Sequence, residues 1–269
     1  MKKYYEIKEL LIRKAKQYLQ ISSTFVSKHR LLTIFLFICT VTIVVSISFY
    51  LSLPDVSWLK EKNPRTTAMM QHRIDESAKK GKKLKIQQRW VSYKKIPKKL
   101  RQAVRVSEDA AFYRHEGIDF DELKESFRKN WEKGEIVRGG STITQQLAKN
   151  LFLSTDRSYF RKIKEYFIAR RLEAALSKSR IFHLYLNIIE FGPGIFGVQA
   201  ASRYYFGKNV GQLTLGEMVR LAAIIPRPLK ITPNSSSRWL KWKSKWILRK
   251  LKLYHYITNE EYEAALSRL

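Results

Sequence analysis

The chain has 269 residues, 45% apolar and 13% aromatic with only 11 Gly and 7 Pro, which is enough for a packed domain and excludes a disordered tail, a collagen-like fibre and a low-complexity array. A single cysteine, Cys39, excludes an intramolecular disulfide framework and a cysteine-clustered zinc site. Lys and Arg outnumber Asp and Glu by 52 to 23, a formal +29, so the chain needs a polyanionic neighbour: nucleic acid, phospholipid head groups or a phosphorylated substrate.

Residues 1–30 form a basic segment with eight Lys/Arg against Glu6 and Glu9. Residues 31–53, LLTIFLFICTVTIVVSISFYLSL, carry no charge, and at about 1.5 Å per residue they span a bilayer core of roughly 30 Å as one helix. A cleaved leader is the alternative, but the 30 residues in front and the length of the run favour an anchor that stays. The positive-inside bias puts the N-terminus in the cytoplasm and everything after residue 53, a domain of net charge +23 (44 minus 21), on the outer side.

Residues 54–97 read as a tether, punctuated by Pro54, Pro64, Gly81 and Pro97, with one alternating stretch, Lys85 to Val91, that predicts a strand. Residues 98–269 read as a mainly α domain. Leu123, Phe127 and Trp131, then Ile143 and Leu147, then Ile163, Phe167, Ile168 and Leu172 recur at three- or four-residue spacing. Thr142-x-x-Gln145 and Thr214-x-x-Glu217 predict capped helix starts. The basic segment RWLKWKSKWILRKLKL from Arg238 places Trp239, Trp242 and Trp246 at helical spacing. It reads either as a helix lying at a lipid interface or as an aromatic stripe packed on the core.

Three clusters carry chemistry. VSEDAAFYRHEGID holds Glu108, Asp109, Phe112, His115 and Gly117; a carboxylate there suits acid–base work if a partly apolar setting raises its pKa, and equally reads as a solvated acidic face. RGGSTITQQLAKNLFLSTDR follows two glycines with hydroxyls and a helix N-terminus, an anion site to which Lys149 and Arg157 would add charge, or simply a well-capped surface helix. No Gly-Lys-Ser/Thr follows, so it is not a Walker loop. In the third, Glu165 sits among Arg161, Lys162, Lys164, Arg170 and Arg171 and reads as a salt-bridged surface acid, and FGPGIFG breaks two apolar helices in a way that opens a cleft.

Taken together, Glu108-Asp-x-x-Phe112-x-x-His115-x-Gly117, then GGSTITQQLAKN from Gly139, Arg161-Lys-x-x-Glu165, YLN at Tyr185 to Asn187, YFGK at Tyr205 to Lys208, and GEMVRLAAIIPRP resemble the peptidoglycan glycosyltransferases of glycosyltransferase family 51 over roughly residues 85 to 255. With a single anchor and nothing after the glycosyltransferase, the chain looks like the monofunctional form. The string Ile181-Phe182-His183-Leu184 departs from the Ile-Leu-Glu common in the family, which touches local packing, and His183 reads as structural.

The resemblance implies a lysozyme-like helical head, a smaller membrane-facing jaw and a cleft between them, on a bacterial inner-membrane anchor. It implies that lipid II is polymerised into β-1,4-linked strands. Glu108 matches the general base and Glu165 the second essential acid. Ser141, Gln146, Lys149 and Arg157 match substrate-contacting positions, and Asp109, Phe112, His115, Gly117 and Asn187 support the motifs. No cofactor is required by the residues themselves; Mg²⁺ or Mn²⁺ at the diphosphate stays open. The expected partners are lipid II, the glycan strand, membrane lipids and cell-wall synthesis or division proteins, with no nucleic acid.

Three rival readings differ in what they would do. A lysozyme-like or lytic enzyme would cleave the same glycan. A membrane-bound nucleic-acid scaffold would use the charge alone. A bifunctional penicillin-binding protein needs Lys-Thr/Ser-Gly and Ser-x-Asn motifs beside Ser-x-x-Lys, and the chain has only the last, which recurs by chance several times, for instance at Ser57 to Lys60 and Ser92 to Lys95.

Overall fold

A computed structural model describes residues 9, 12–14, 16–17, 29–134, 140–153 and 158–269. It divides into two compact units, residues 1–53 and 54–269.

In the first unit, α1 (Arg30–Leu51) has 22 residues, about 33 Å of helix. It is apolar on every side and buries none of its residues, so it has no core-facing stripe to pack within the chain. Thr40 and Thr42 turn their hydroxyls back onto the carbonyls of Leu36 and Ile38 at 2.9 and 2.8 Å, which hides the polar atoms inside the helix. It is the one helix among the described residues long and apolar enough to cross a membrane.

The second unit is helical, with one small sheet. Residues 54–97, expected as a tether, carry structure of their own within this unit: α2 (Ala68–Lys79) is N-capped by Thr67, and its Met69 and Met70 pack with Phe196. The strand expected over Lys85–Val91 pairs only at β1 (Gln87–Gln88). β1 runs parallel to β3 (Ile195–Phe196), which pairs antiparallel with β2 (Glu190–Gly192), giving the order β1-β3-β2. The FGPGIFG segment is therefore a buried hairpin and not the opening of a cleft. Its glycines are required by space: a Cβ on Gly194 (φ +75°) would lie 2.7 Å from the Lys85 carbonyl oxygen, and one on Gly197 (φ +81°) would lie 2.4 Å from that of Asn187.

Around the sheet stand α3 (Lys98–Glu108), α4 (Phe120–Lys133), α5 (Ile143–Phe152), α6 (Tyr159–Ala175), α7 (Lys178–Ile188), α8 (Val198–Phe206), α9 (Leu215–Ile224), α10 (Arg238–Leu253) and α11 (Asn259–Leu266). Both predicted capping boxes form, Thr142 with Gln145 at α5 and Thr214 with Glu217 at α9. α5 packs against α2, α6 and α7, and α3 against α9 and α10. Leu100, Leu147, Ile168, Phe182 and Tyr185 are buried in this core. Each such side chain contributes ~1.5–3 kcal/mol of transfer free energy.

Helical spacing located α4, and its apolar residues Leu123, Phe127 and Trp131 are 47%, 67% and 78% exposed. The same holds at the start of α6, where Tyr159, Phe160, Ile163 and Phe167 are exposed while Ile168 and Leu172 are buried. Period alone reports a stripe and not what covers it.

Candidate active site

Glu108 is the last residue of α3, and Asp109 leaves the helix in an extended conformation (φ −164°, ψ 82°). The two acids therefore point to different places. Asp109 is buried and accepts from the backbone N–H of Ile143 at 3.0 Å, the first residue of α5, where an anion also opposes the helix dipole. It also meets His115 Nε2 at 3.0 Å. Because His115 Nδ1 accepts the Gly117 N–H at 3.2 Å, the ring proton sits on Nε2 and is donated to Asp109. Thr142 donates its hydroxyl to the Gly117 carbonyl. Gly117 (φ +90°) passes so close to α6 that a Cβ would meet Glu173 Cγ at 3.0 Å. Phe112 is fully buried against Phe182, ring centroids 5.5 Å apart. Asp109, Phe112, His115 and Gly117 thus form a brace that fixes the end of α3 to the start of α5.

Glu108 is half-buried on the wall of a cleft of about 1230 Å³, together with Ser141 and Gln146. Ser107 Oγ donates to Glu108 Oε1 at 3.0 Å and Gln146 Nε2 to Oε2 at 3.1 Å. Burial pushes the Glu108 carboxyl above the usual carboxylate range, outweighing the opposing effects of the Gln146 bond, the Lys243 charge and the Ser107 bond. Such a group holds a proton more readily than a free carboxylate and is suited to general-base work near neutrality.

Beside the cleft, α6 builds a cationic cluster. Glu165 is buried and accepts from Arg161 at 2.7 Å and from Lys162, residues four and three positions earlier on the same helix face. Lys162 Nζ also reaches Ser141 Oγ at 3.0 Å, which links the cluster to the cleft wall. Lys149 finds no hydrogen-bond or ion-pair partner among the described residues. Burial lowers its pKa, and the charges of Arg161, Lys162 and Arg73 lower it further against the opposite pull of Glu165. It is a desolvated cation held among cations, the setting in which an incoming polyanion gains most.

Of the residues expected at the site, Glu108, Asp109, His115, Ser141 and Gln146 line the cleft; Lys149 and Glu165 stand in the adjoining cluster. Arg157 lies outside the described residues, as do Arg138 and Gly139. Asn187 is remote from the cleft lining and fully buried. Its amide accepts from Val91 N at 2.9 Å and donates to the carbonyls of Val91 at 3.1 Å and His183 at 2.9 Å, stitching α7 to the segment after β1. His183 holds the same segment through Val91 O at 2.9 Å.

Several partners escaped the sequence. Buried Tyr185 donates to Gln146 Oε1 at 2.9 Å and so fixes which end of that amide faces Glu108. Arg73, in the supposed tether, makes a forked contact of 2.9 Å with buried Glu190. α10 also lines the cleft, through Trp239, Trp242, Lys243 and Trp246. The sequence set Glu165 among five cations as a surface acid; Arg161 and Lys162 are the two that hold it, and it is buried because α6 packs that face inward.

Asp109, His115 and Asp119 have donor atoms within 4.8 Å of one another, a grouping able to hold a metal. Each is already engaged, Asp109 and His115 with each other and Asp119 as the N-cap of α4. At the cationic cluster both oxygens of Glu165 are taken by Arg161 and Lys162. The described donors therefore fit a divalent cation poorly at either place.

Comparison with known proteins shows the family. Residues 76–252 match the family described as Transglycosylase. The chain is 40% identical over 222 residues to the biosynthetic peptidoglycan transglycosylase of Janthinobacterium sp. (strain Marseille), covering 82% of this chain and 96% of that one. It is 41% identical over 218 residues to the protein of the same description from Nitrosospira multiformis, covering 81% and 94%. The chain belongs to the transglycosylase family. A crystal structure of penicillin-binding protein 1A from Haemophilus influenzae aligns with 68% of this chain and 18% of its own length at 21% identity and a TM-score of 0.39, too slight a likeness to carry an argument.

Proposed function

We propose that the chain polymerises lipid II into β-1,4-linked glycan strands with release of undecaprenyl diphosphate, by an inverting single displacement with Glu108 as general base. As a member of its family it is a peptidoglycan glycosyltransferase. The observation that carries the mechanism is a carboxyl of raised pKa, held by Gln146 and Ser107 in an open cleft, next to a cluster of cations linked to it through Ser141.

In that mechanism Glu108 takes the proton of the acceptor 4-hydroxyl while the oxygen bonds to the anomeric carbon and the bond to the diphosphate breaks. The diphosphate needs no proton to leave. Lys149, Arg161 and Lys162 stabilise the charge it develops, and Arg157 is assigned to the same task by its place in the motif. Glu165 acts on the substrate indirectly, by positioning Arg161 and Lys162. The chain is anchored by α1 with its N-terminus in the cytoplasm and its catalytic unit on the outer side. The exposed apolar residues of α4 and α6 are the jaw's membrane contact. Cell-wall synthesis or division proteins recruit it.

The test incubates the full-length chain with labelled lipid II, beside Glu108→Gln, and resolves products by size. Lysozyme-sensitive polymer from the wild type alone is expected. Release of soluble fragments from preformed glycan, without consumption of lipid II, would instead establish a lytic enzyme.

A further inference from the structure

The basic aromatic segment packs one face on the core and also borders the cleft. On α10 the apolar seam of Leu240, Ile247, Leu248 and Leu251 is buried. The adjoining face does not continue into the core: Trp242, Lys243 and Trp246 line the same cleft as Glu108. Trp242 is 55% exposed, so it is not core packing. It lines the cleft, open to a ligand from solvent. Lys243 Nζ stands 4.3 Å over the Trp246 ring and close enough to Glu108 for each charge to act on the other.

The side of the cleft also matters. Glu108, Ser141 and Gln146 line the cleft together with α10, whereas Lys149, Arg161 and Glu165 are not among its lining residues. In an inverting displacement the attacking oxygen and the leaving group lie on opposite sides of the anomeric carbon. If the cations hold the leaving diphosphate, the attacking sugar lies on the α10 side. A pyranose ring has a face of C–H groups and a rim of hydroxyls. A flat, water-exposed indole offers the electron-rich surface that attracts the C–H face, and polar neighbours meet the rim.

We propose that the α10 face bearing Trp242, Lys243 and Trp246 is the saccharide subsite of the attacking substrate, with Trp242 stacked on an N-acetylated pyranose ring. This rests on the glycosyl-transfer reading above. Lys243 serves as the charged neighbour that keeps Trp246 in place and its own ammonium toward Glu108.

The experiment titrates chitotetraose into the full chain carrying Glu108→Gln, in detergent, by calorimetry. Adding Trp242→Ala is expected to weaken binding about three- to tenfold, Trp242→Phe to keep most of it, and Trp131→Ala on α4 to leave it unchanged. With Glu108 intact, Trp242→Ala should raise the KM for lipid II by a similar factor and leave kcat within about twofold. Equal affinity in Trp242→Ala and its parent, or no binding by the parent, overturns the subsite. So does quenching by brominated phosphatidylglycerol vesicles that Trp242→Phe abolishes, because the ring would then face lipid. Polymer formation by the wild type and its loss in Glu108→Gln are read separately, so failure of the subsite and failure of the glycosyl-transfer reading give different results.

Discussion

Tyr185 and Gln146 are joined by a hydrogen bond of 2.9 Å in which the phenol donates to the amide oxygen, and this turns the amide nitrogen toward Glu108. The phenol is fully buried and its pKa is raised well above normal, by burial first and then by the charges of Glu108 and Asp109, so it stays a donor at any working pH. Tyr185→Phe frees the amide to rotate. About 1 kcal/mol of lost orientation predicts a fall of roughly five- to tenfold in kcat with KM little changed, measured on lipid II under steady-state conditions. An equal rise in KM would mean that the bond serves packing and not the base.

Replacing Glu108 separates activity from stability. Glu108→Gln should cost about 10²- to 10⁴-fold in rate. The fold favours the protonated carboxyl, so the contribution of this group to stability is fully present below the ordinary value of 4.5 and is lost as pH rises through the raised pKa. The variant is therefore expected to melt higher than the wild type at neutral pH and to lose that advantage below the ordinary carboxylate value. The wild-type rate should fall, as pH drops, at a pH above that value. Melting curves and pH–rate profiles across the acid range check both signs.

Glu165 compensates a cluster that is otherwise positive. Glu165→Gln leaves Arg161 and Lys162 facing each other without a buried anion. Lys162 is half-exposed, which keeps the cost to about 1–3 kcal/mol, below that of a fully buried pair. The variant should melt lower, and added pyrophosphate should restore more stability to it than to the wild type, since a ligand that binds only the folded chain stabilises in proportion to its affinity. No differential effect of pyrophosphate would remove the cluster from the diphosphate site.

Lys149 gives the same site a pH signature. Its pKa is lowered from 10.5, by burial first, so its charge is lost as pH rises through a value below that of a free lysine. Pyrophosphate affinity should decline over that alkaline range. Lys149→Ala should weaken binding about tenfold at neutral pH and flatten the decline, measured by calorimetry at stepped pH.

What the sequence made legible followed from local rules. Thr142 and Thr214 announced helix starts because a capping box closes within four residues. The sequence surrounded Glu165 with five cations, and i, i+3 and i, i+4 spacing is why Arg161 and Lys162 are the two that hold it. The motif around Glu108 marked the acid, but not that Asp109 is tied to α5 through Ile143 N while the Glu108 carboxylate is held by Ser107 and Gln146; that division depends on how the helix ends. The stripe of α4 was found and its exposure was not, because burial is decided by neighbours. Trp242 and Trp246 reach the cleft only through the packing of α10 on α3 and α9, which no local pattern encodes.

The pair formed by Arg73 and Glu190 is the clearest case of a contact hidden by separation, 117 residues apart and on two segments that carry no motif of their own. Glu190 begins β2 with its side chain 6% exposed, and the Arg73 fork from α2 is its described ion-pair partner. Arg73→Leu would leave that carboxylate buried without its cation, which costs ~3–5 kcal/mol, or roughly 10 °C of melting temperature in a domain of this size. Replacing both residues with Leu removes the stranded charge together with the pair, and should recover more than half of the loss. Thermal melts of the two single variants and the double variant complete the cycle. A double variant no more stable than Arg73→Leu would show that the fork holds α2 in place through more than charge.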